Sequence, residues 1–156
     1  MAEATRPPEG SDLVRLCAEL KRLGAKYIVI GGLAMNELGL VRVTEDIDLL
    51  IEPSIENQRL IREALRILPE RAIDELRPEE DLRDWVVVRV NDEITVDLMT
   101  SACGVSYADG IDDVSLRTIS GIEIPFANRD LMIRLKQGSR EKDRIDLEFL
   151  LRKPES

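Results

Sequence analysis

A short apolar run, Tyr27-Ile28-Val29-Ile30, is followed directly by Gly31 and Gly32. The β-branched run predicts a buried strand, and the residues that follow, to about Leu38, predict a short helix. The two glycines therefore lie where a strand turns straight into a helix. A segment of this kind indicates a sheet covered by helices, and it restricts the fold more than any other feature of the chain.

Periodic segments flank this turn on both sides. Apolar residues from Leu13 to Leu23 fall on one face of a predicted helix, with Ser11 as its N-cap and Gly24 at its end. After the turn, Asp46 to Ile51 predicts a second strand, and Ile55 to Leu68 predicts a third helix. The first half of the chain is therefore predicted to alternate between helix and strand.

The second half contains more strand signals, separated by polar and glycine-bearing turns. Its predicted elements are a surface helix and loop over 69–84, a hairpin of Trp85–Val90 and Glu93–Met99 around Asn91-Asp92, a loop over 101–113, strands Val114–Ile119 and Ile122–Phe126, a helix from Asn128 to Gln137, a break at Gly138-Ser139, and a last helix over 140–152. The whole pattern predicts an α/β or α+β fold, with a mixed, twisted sheet flanked by helices and with helices at the C-terminal end.

Composition bounds the organisation of the chain. Its 156 residues, 44% of them hydrophobic, suffice for one sizeable core, so we expect a flexible tail over 1–10 and a single domain over 11–153. There is neither a run of about 18 apolar residues nor an apolar signal segment, which predicts a cytoplasmic protein without a membrane partner. Cys17 and Cys103 are too few for a disulfide framework and are predicted to be small buried residues.

The absence of histidine excludes imidazole proton transfer and every histidine-ligated metal site. Any catalysis must therefore use carboxylates. With 31 acidic and 22 basic residues the net charge is -9, which argues against broad binding of duplex DNA. A local basic cleft or a basic protein partner remains compatible with this charge.

Three aspartates have the spacing of a metal site. Asp46 and Asp48 are two apart on a predicted strand and project to one face, and Asp97 has the same alternation in a later strand. Carboxylates placed side by side favour a bound cation such as Mg²⁺ or Mn²⁺, and three of them can hold two ions. The alternatives are solvated acids at a sheet rim and, for Asp97, a cross-strand pair with Arg89.

Gly31 and Gly32 also have two interpretations. Without a Cβ, their backbone can approach a phosphate and present N–H groups at the start of a helix. A tight turn from strand to helix can equally require glycine for steric reasons alone.

Taken together, Gly31-Gly32, the stretch from Arg42 to Leu49 and Asp97 resemble the nucleotidyltransferase superfamily of DNA polymerase β type. Within it, the chain is most similar to the small bacterial AbiEii-like and minimal nucleotidyltransferases of toxin-antitoxin systems. Lys136 and the stretch 140–147 are similar to the lysine-bearing and K-D-x-x-D helical segments of that branch. The resemblance runs from about Tyr27 to Leu151.

The resemblance implies a metal-dependent enzyme that moves a nucleoside monophosphate from an NTP, such as ATP, to a hydroxyl acceptor. The acceptor can be RNA, including tRNA, a protein side chain or a small molecule. It also implies a toxin-antitoxin component with a cognate partner protein. The implied metal ligands and catalytic residues are Asp46, Asp48 and Asp97, and the implied nucleotide contacts are Gly31, Gly32, Arg42, Thr44, Lys136, Arg140 and Lys142. The alternative is a non-catalytic module that binds a nucleotide or a partner.

Two further expectations concern charged and aromatic side chains. The C-terminal cations can form an ordinary solvated helix face, with Asp143 and Asp146 as partners and Lys142 paired to Asp146. Trp85 and Phe126 are expected in the core.

Many members of the superfamily have Gly-Ser where this chain has Gly31-Gly32, so the serine hydroxyl contact to phosphate is missing.

Overall fold

The computed structural model describes residues 5–138 and 140–152 and contains a six-stranded mixed sheet in this part of the chain. The sheet order is β3-β4-β2-β1-β8-β7, and a separate two-stranded hairpin pairs β5 with β6. The strands are β1 (Tyr27–Ile30), β2 (Asp46–Ile51), β3 (Val88–Asn91), β4 (Thr95–Met99), β5 (Ser101–Ala102), β6 (Val105–Ser106), β7 (Val114–Ile119) and β8 (Ile122–Ala127). The mixed α+β fold predicted from the sequence is confirmed.

Helices precede, connect and follow these strands. They are α1 (Gly10–Leu23), α2 (Gly31–Glu37), α3 (Ile55–Leu65), α4 (Tyr107–Gly110), α5 (Arg129–Leu135) and α6 (Glu141–Arg152), with short 3₁₀ segments at Ala72–Glu75, Leu82–Asp84 and Ile111–Asp113. Helix α1 packs on α3 and β8, and α5 packs on α6. Among the described residues, no helix combines the length and apolar character required to cross a membrane.

The pairing around β2 determines which side chains meet. Strand β1 is antiparallel to β2 and places Ile30 opposite Asp48, whereas β4 is parallel to β2 and places Asp97 opposite Asp48. Ile47 and Leu49 are fully buried, while Asp46 and Asp48 alternate with them and remain partly exposed. The core therefore fixes the face on which the acidic residues project.

Asn57 of α3 closes the other end of the β1–β2 pair. Its Oδ1 accepts a hydrogen bond from the backbone N–H of Lys26 at 2.7 Å, and its Nδ2 donates to the carbonyl oxygens of Lys26 and Glu52 at 2.9 and 2.8 Å. These bonds satisfy backbone groups just beyond the strands and help to hold the register that sets Ile30 against Asp48.

The prediction that Ser11 caps the first helix is wrong. Helix α1 begins at Gly10, and Glu9 is its N-cap residue. The backbone N–H of Glu9 donates to Oδ2 of Asp12 at 2.7 Å. An acidic side chain in the first turn thus provides a hydrogen-bond partner for the backbone N–H of the N-cap residue. The end of this helix at Gly24, in the left-handed conformation, is confirmed.

Part of the predicted N-terminal tail makes specific contacts. The Thr5 hydroxyl donates to the carbonyl oxygen of Asp92 at 2.9 Å, and both Arg6 amino groups donate to the Asp12 carboxylate, at 2.7 and 2.8 Å. Residues 1–4 of this tail and residue 153 of the predicted domain lie outside the described residues.

The hairpin is shorter than predicted. Strand β3 begins at Val88 rather than Trp85, and β4 begins at Thr95 rather than Glu93. The Asp92 side chain, expected in a simple turn, accepts three backbone N–H groups, two of them from the segment before the hairpin. Because of these hydrogen bonds, Asp92 and Glu93 lie outside the pairing of β3 with β4.

Two expectations about buried side chains are wrong and two are confirmed. Trp85 is 53% exposed and donates from its indole N–H to Glu80, whereas Phe126 lies in the core at 2% exposure. Cys17 is buried, but Cys103 is exposed.

The remaining differences concern element ends and loops. The 69–84 segment forms two 3₁₀ turns instead of a helix, consistent with the helix-breaking effect of Pro69 and Pro78. The predicted loop over 101–113 contains β5, β6 and α4; α3 ends at Leu65 and α5 at Leu135.

Candidate metal and nucleotide site

Three aspartates converge where β2 and β4 run side by side. Asp46, Asp48 and Asp97 each offer a carboxylate oxygen, and these oxygens lie within 4.8 Å of one another. Asp46 and Asp48 share a face because they are two residues apart, and the parallel register brings Asp97 beside Asp48. The structure thus brings together the three aspartates that the sequence analysis selected.

Asp48 is electrostatically the most perturbed member of the cluster. Burial raises its pKa most, the negative charge of Asp46 and a hydrogen bond with it add to this, and Asp97 contributes further, bringing the pKa to about 8. The positive charge of Lys142 acts in the opposite direction. Full ionisation of the cluster is therefore costly, and a divalent cation would offset that cost.

The donor set fits Mg²⁺ or Mn²⁺. All three side chains offer carboxylate oxygens, the ligands that hard divalent cations prefer, and the described residues include no histidine or thiolate in the cluster.

Gly31 lies directly against this cluster. Its φ is +72°, and a Cβ at this position would come within 2.0 Å of Oδ2 of Asp48. Any side chain here would require the carboxylate to move, so glycine is needed both for the backbone conformation and for the close approach of Asp48. The steric interpretation of this glycine is thus confirmed. The space where a side chain would lie is taken by the carboxylate of Asp48.

Gly32 is restricted by a different neighbour. A Cβ at Gly32 would come within 2.5 Å of Cγ2 of Thr44, a residue that is itself only 9% exposed. Within residues 5–138 and 140–152, the Thr44 hydroxyl makes no hydrogen bond. The threonine methyl group therefore takes the space beside the second glycine, and the hydroxyl lies more than 4 Å from a Cβ built there.

Arg89 covers the cluster from the solvent side. Its Nε donates to Oδ1 of Asp97 and its Nη2 to Oδ2, both at 2.9 Å, and Nη2 lies 3.4 Å from Oδ2 of Asp46. The alternative that pairs Asp97 with Arg89 across two strands is therefore confirmed, and this pair forms within the acidic cluster. The cross-strand pair and the acidic cluster, predicted as alternatives for Asp97, thus occur together.

The other predicted cations form a chain of ion pairs. Arg42 donates to both oxygens of Asp146, with Nη2 at 2.9 Å from Oδ2, and Nζ of Lys136 lies 2.9 Å from Oδ2 of the same carboxylate. Arg140 donates to both oxygens of Asp143 at 3.0 Å, and Lys136 lies 3.6 Å from Asp143. Asp143 and Asp146 are thus buried anchors rather than partners on a solvated helix face.

These contacts lower the pKa of both carboxyls. Burial alone would raise the pKa of Asp146, but hydrogen bonds from Arg42 and Lys136 outweigh it. The hydrogen bond from Arg140 lowers the pKa of Asp143.

Lys142 has a different environment from the other predicted cations. The predicted pair between Lys142 and Asp146 is wrong, because Arg42 and Lys136 occupy that carboxylate. Lys142 is exposed, forms no ion pair with any described residue, and is close enough to Asp48 to lower its pKa. It is therefore available to a ligand beside the cluster.

Two cavities lie outside the acidic cluster. One of about 700 Å³ borders α3, and Arg59, Arg62 and Arg66 line it, but none of the predicted site residues does. A second, of about 560 Å³, is lined by Arg42 and Thr44 and extends toward the start of α1. Neither cavity is lined by Asp46, Asp48 or Asp97.

Two solved structures have a similar fold. Lincosamide antibiotic adenylyltransferase LnuA, solved with lincomycin bound, is similar over 94% of this chain and 99% of its own, with a TM-score of 0.58 and 14% identity. TM1012 of Thermotoga maritima, assigned as a nucleotidyltransferase, is similar over 90% and 88%, with a TM-score of 0.55 and 17% identity.

No family model matches the sequence, and no curated protein matches it. The likeness to the two solved structures shows that the chain has the nucleotidyltransferase fold.

Proposed function

We propose that this protein is a metal-dependent nucleotidyltransferase that moves a nucleoside monophosphate from an NTP to a hydroxyl acceptor. The observation that carries this proposal is the convergence of Asp46, Asp48 and Asp97 within 4.8 Å, directly against the backbone of Gly31. A partly buried cluster of like charges is costly to maintain, and a functional role in binding a cation is the simplest reason for it.

Asp46, Asp48 and Asp97 would hold Mg²⁺ or Mn²⁺. When bound, such an ion supplies Lewis-acid stabilisation of the negative charge that develops on the transferred phosphoryl group. In the transfer, the acceptor oxygen forms a bond to the α-phosphorus, the bond to pyrophosphate breaks, and the hydroxyl proton passes to Asp97. Asp97 can accept this proton once Arg89, which binds both of its oxygens, moves away.

We propose that the phosphates of the NTP bind beside Gly31 and Gly32. Thr44 packs its methyl group against Gly32, and its hydroxyl makes no hydrogen bond with any described residue, so we propose that this hydroxyl supplies the contact that serine provides in Gly-Ser relatives. Lys142, exposed and unpaired among the described residues, would contribute the fixed positive charge that a triphosphate requires.

Arg42, Lys136 and Arg140 would have to leave Asp143 or Asp146 to contact a phosphate directly. We therefore propose that Arg42 holds the loop before β2 against Asp146 of α6, while Lys136 and Arg140 hold α6 in place through Asp146 and Asp143. In that role they position Thr44 and the start of β2 for the nucleotide.

The acceptor classes that we propose to test are RNA, including tRNA, a protein side chain and a small hydroxyl compound. The net charge of -9 disfavours a large RNA, whereas the resemblance to toxin-antitoxin members favours RNA or a partner protein. The structurally similar LnuA is an adenylyltransferase for a small antibiotic, which supports the third class.

The test is incubation with each α-labelled NTP and Mg²⁺ in the presence of total tRNA, a protein extract or a set of hydroxyl compounds. We expect the wild type to label one of these acceptors and Asp48→Asn to label none. Asp48→Asn is a suitable inactive control because asparagine has nearly the same shape and only the charge is lost. Thermal unfolding with and without NTP provides an independent measure of binding.

A second candidate function is a non-catalytic module that binds a nucleotide or a partner protein through the same fold. The pairing of Arg89 with Asp97 favours it, because a guanidinium occupies both oxygens of one proposed catalytic carboxylate. Nucleotide-dependent stabilisation without transfer to any acceptor would support this second function and contradict the first.

A further inference from the structure

Arg89 is the one residue at the acidic cluster that the proposed reaction leaves without a role. It lies on β3, an edge strand of the sheet, directly opposite Asp97 in the antiparallel register. Its side chain is 56% exposed, whereas that of Asp97 is 8% exposed. An exposed cation thus lies over a buried carboxylate that is proposed to bind metal.

The contacts of Arg89 use the oxygens that a metal ion would need. The guanidinium binds both oxygens of Asp97 in a bidentate arrangement and reaches Asp46 at 3.4 Å. Bidentate pairs between arginine and carboxylate are among the strongest side-chain hydrogen bonds, because both charge and geometry favour them. A divalent ion at Asp97 would have to compete with this pair and would also be repelled by the positive charge of Arg89.

The charges of the cluster lead to the same conclusion. The three carboxylates carry three negative charges when ionised, and Arg89 contributes one positive charge, which leaves a net charge that one divalent ion neutralises. Two divalent ions in the nucleotide-free protein would give this small site an excess of positive charge.

We propose that Arg89 is a built-in competitor for the metal ion at Asp97, so that the nucleotide-free protein binds a single divalent ion, on the Asp46 and Asp48 side. The inference rests on the metal site of the proposed function. Arg89 is placed to move away without disturbing the core, because it lies on an edge strand and its side chain is mostly exposed. Its displacement would open Asp97 to a second ion.

The test is titration of the wild type, Arg89→Gln and Arg89→Lys with Mn²⁺ alone, with free Mn²⁺ followed by electron paramagnetic resonance. We expect one bound ion for the wild type and two for Arg89→Gln, with the first ion bound about tenfold more tightly in the variant. Arg89→Lys keeps the charge but not the bidentate contact, so we expect an intermediate affinity.

Arg59→Gln is the matched control. Arg59 is an exposed arginine paired with Glu56 on α3, so this change alters the net charge of the protein by the same amount without touching the cluster. We expect it to bind Mn²⁺ as the wild type does, and an equal gain in Arg59→Gln and Arg89→Gln would overturn the inference.

Equal stoichiometry and affinity in the wild type and Arg89→Gln would also overturn the inference while leaving the metal site intact. If neither protein binds Mn²⁺, the proposed function fails together with the inference. Circular dichroism shows whether Arg89→Gln is folded. If it is not, the test rests on Arg89→Lys. Mn²⁺ binding by Arg89→Lys equal to that of the wild type would then contradict the inference.

Discussion

At Gly31, the backbone and a carboxylate oxygen of Asp48 are too close for any side chain to fit between them. Gly31→Ala would place a Cβ 2.0 Å from that oxygen, in a backbone conformation with φ of +72°. We expect a loss of about 3 kcal/mol in the free energy of unfolding, because the left-handed conformation and the displaced carboxylate both contribute. Mn²⁺ binding should also be lost, since Asp48 must move.

Gly24→Ala is the control for this change. Gly24 has a nearly identical φ of +75°, but a Cβ there would meet nothing within 4 Å. It should therefore lose only about 1–2 kcal/mol and should bind Mn²⁺ normally. Urea unfolding and Mn²⁺ titration of both variants measure the two effects, and equal losses of stability would show that the contact with Asp48 is unimportant.

Asp48 is expected to favour binding of a divalent cation but to lower the free energy of unfolding of the metal-free protein. Burial and the negative charges of Asp46 and Asp97 raise its pKa to about 8, so its ionised form is disfavoured without a cation. In EDTA, Asp48→Asn should raise the free energy of unfolding, on the order of 1–2 kcal/mol. In Mg²⁺ the wild type should gain stability and the variant should not.

Thermal unfolding with EDTA and with Mg²⁺ checks this expectation, with Asp112→Asn as an exposed acidic control outside the cluster. A wild type that is indifferent to Mg²⁺, or an Asp48→Asn variant that is less stable in EDTA, would contradict it.

The three aspartates were predictable from the sequence because each alternates with apolar residues along a strand, and period-two alternation is a local signal. The ion pairs of the cations were not. Arg42 and Asp146 are separated by 104 positions, and only the packing of the C-terminal helices brings them together. The same holds for the close approach of Thr44 to Gly32. Local patterns show which side chains share a face, whereas tertiary packing decides which partners they meet.

At the scale of elements, Asp146 connects α6 to two other parts of the chain. Its fully buried carboxylate binds Arg42, in the loop before β2, and Lys136, at the end of α5. Asp146→Asn would leave Arg42 without its counter-charge and Lys136 with only the longer contact to Asp143 at 3.6 Å, so we expect a loss of about 3 kcal/mol in the free energy of unfolding at pH 7.

This loss should depend on pH. The folded pKa of Asp146 is lowered, since hydrogen bonds from Arg42 and Lys136 outweigh burial. The stabilisation is therefore present above the unfolded pKa of about 4 and disappears as the pH falls through the lower folded value. Urea unfolding should give a constant difference between wild type and Asp146→Asn from about pH 5 to 8 and a shrinking difference below about pH 4.

Glu148→Gln is the control in the same helix. Glu148 pairs with Arg152 at the surface, where both side chains are mostly exposed, and removal of such a pair should have little effect at any pH. A difference between wild type and Asp146→Asn that persists unchanged at pH 3 would show that the charge of Asp146 is not the source of its stabilisation.

Elements with strong local signals were predicted well. Strands β1, β2 and β7 have the predicted bounds, and β8 ends one residue later, because β-branched or aromatic residues recur in each of them. The segments 69–84 and 101–113 were not predicted well, because their structure depends on partners that are distant in sequence. Asp92 accepts N–H groups from residues 70 and 72, and the Cys103 thiol donates to the carbonyl oxygen of Leu135. No periodic pattern records contacts of this kind.

At the scale of the whole molecule, the sheet connects the two halves of the sequence. Strand β1 pairs with β2 on one side and with β8, near the C-terminal helices, on the other. Helix α1 packs on α3 and on β8, so the first and last parts of the chain share one core. We therefore propose that the described residues unfold as a single cooperative unit, as expected for one domain.

Three probes at different places can test this cooperativity. Trp85, the only tryptophan, lies next to the edge strand β3, and Cys17 lies in the core on α1, where burial raises the pKa of its thiol to about 12. In a Cys103→Ser background, we expect Cys17 to resist alkylation until the chain unfolds, because the native thiol is both inaccessible and protonated. The urea midpoints from Cys17 labelling, Trp85 fluorescence and far-ultraviolet circular dichroism should then coincide. If Cys17 became reactive at a urea concentration where the circular dichroism is still native, the α1 region would open separately, and the single-domain organisation would be wrong.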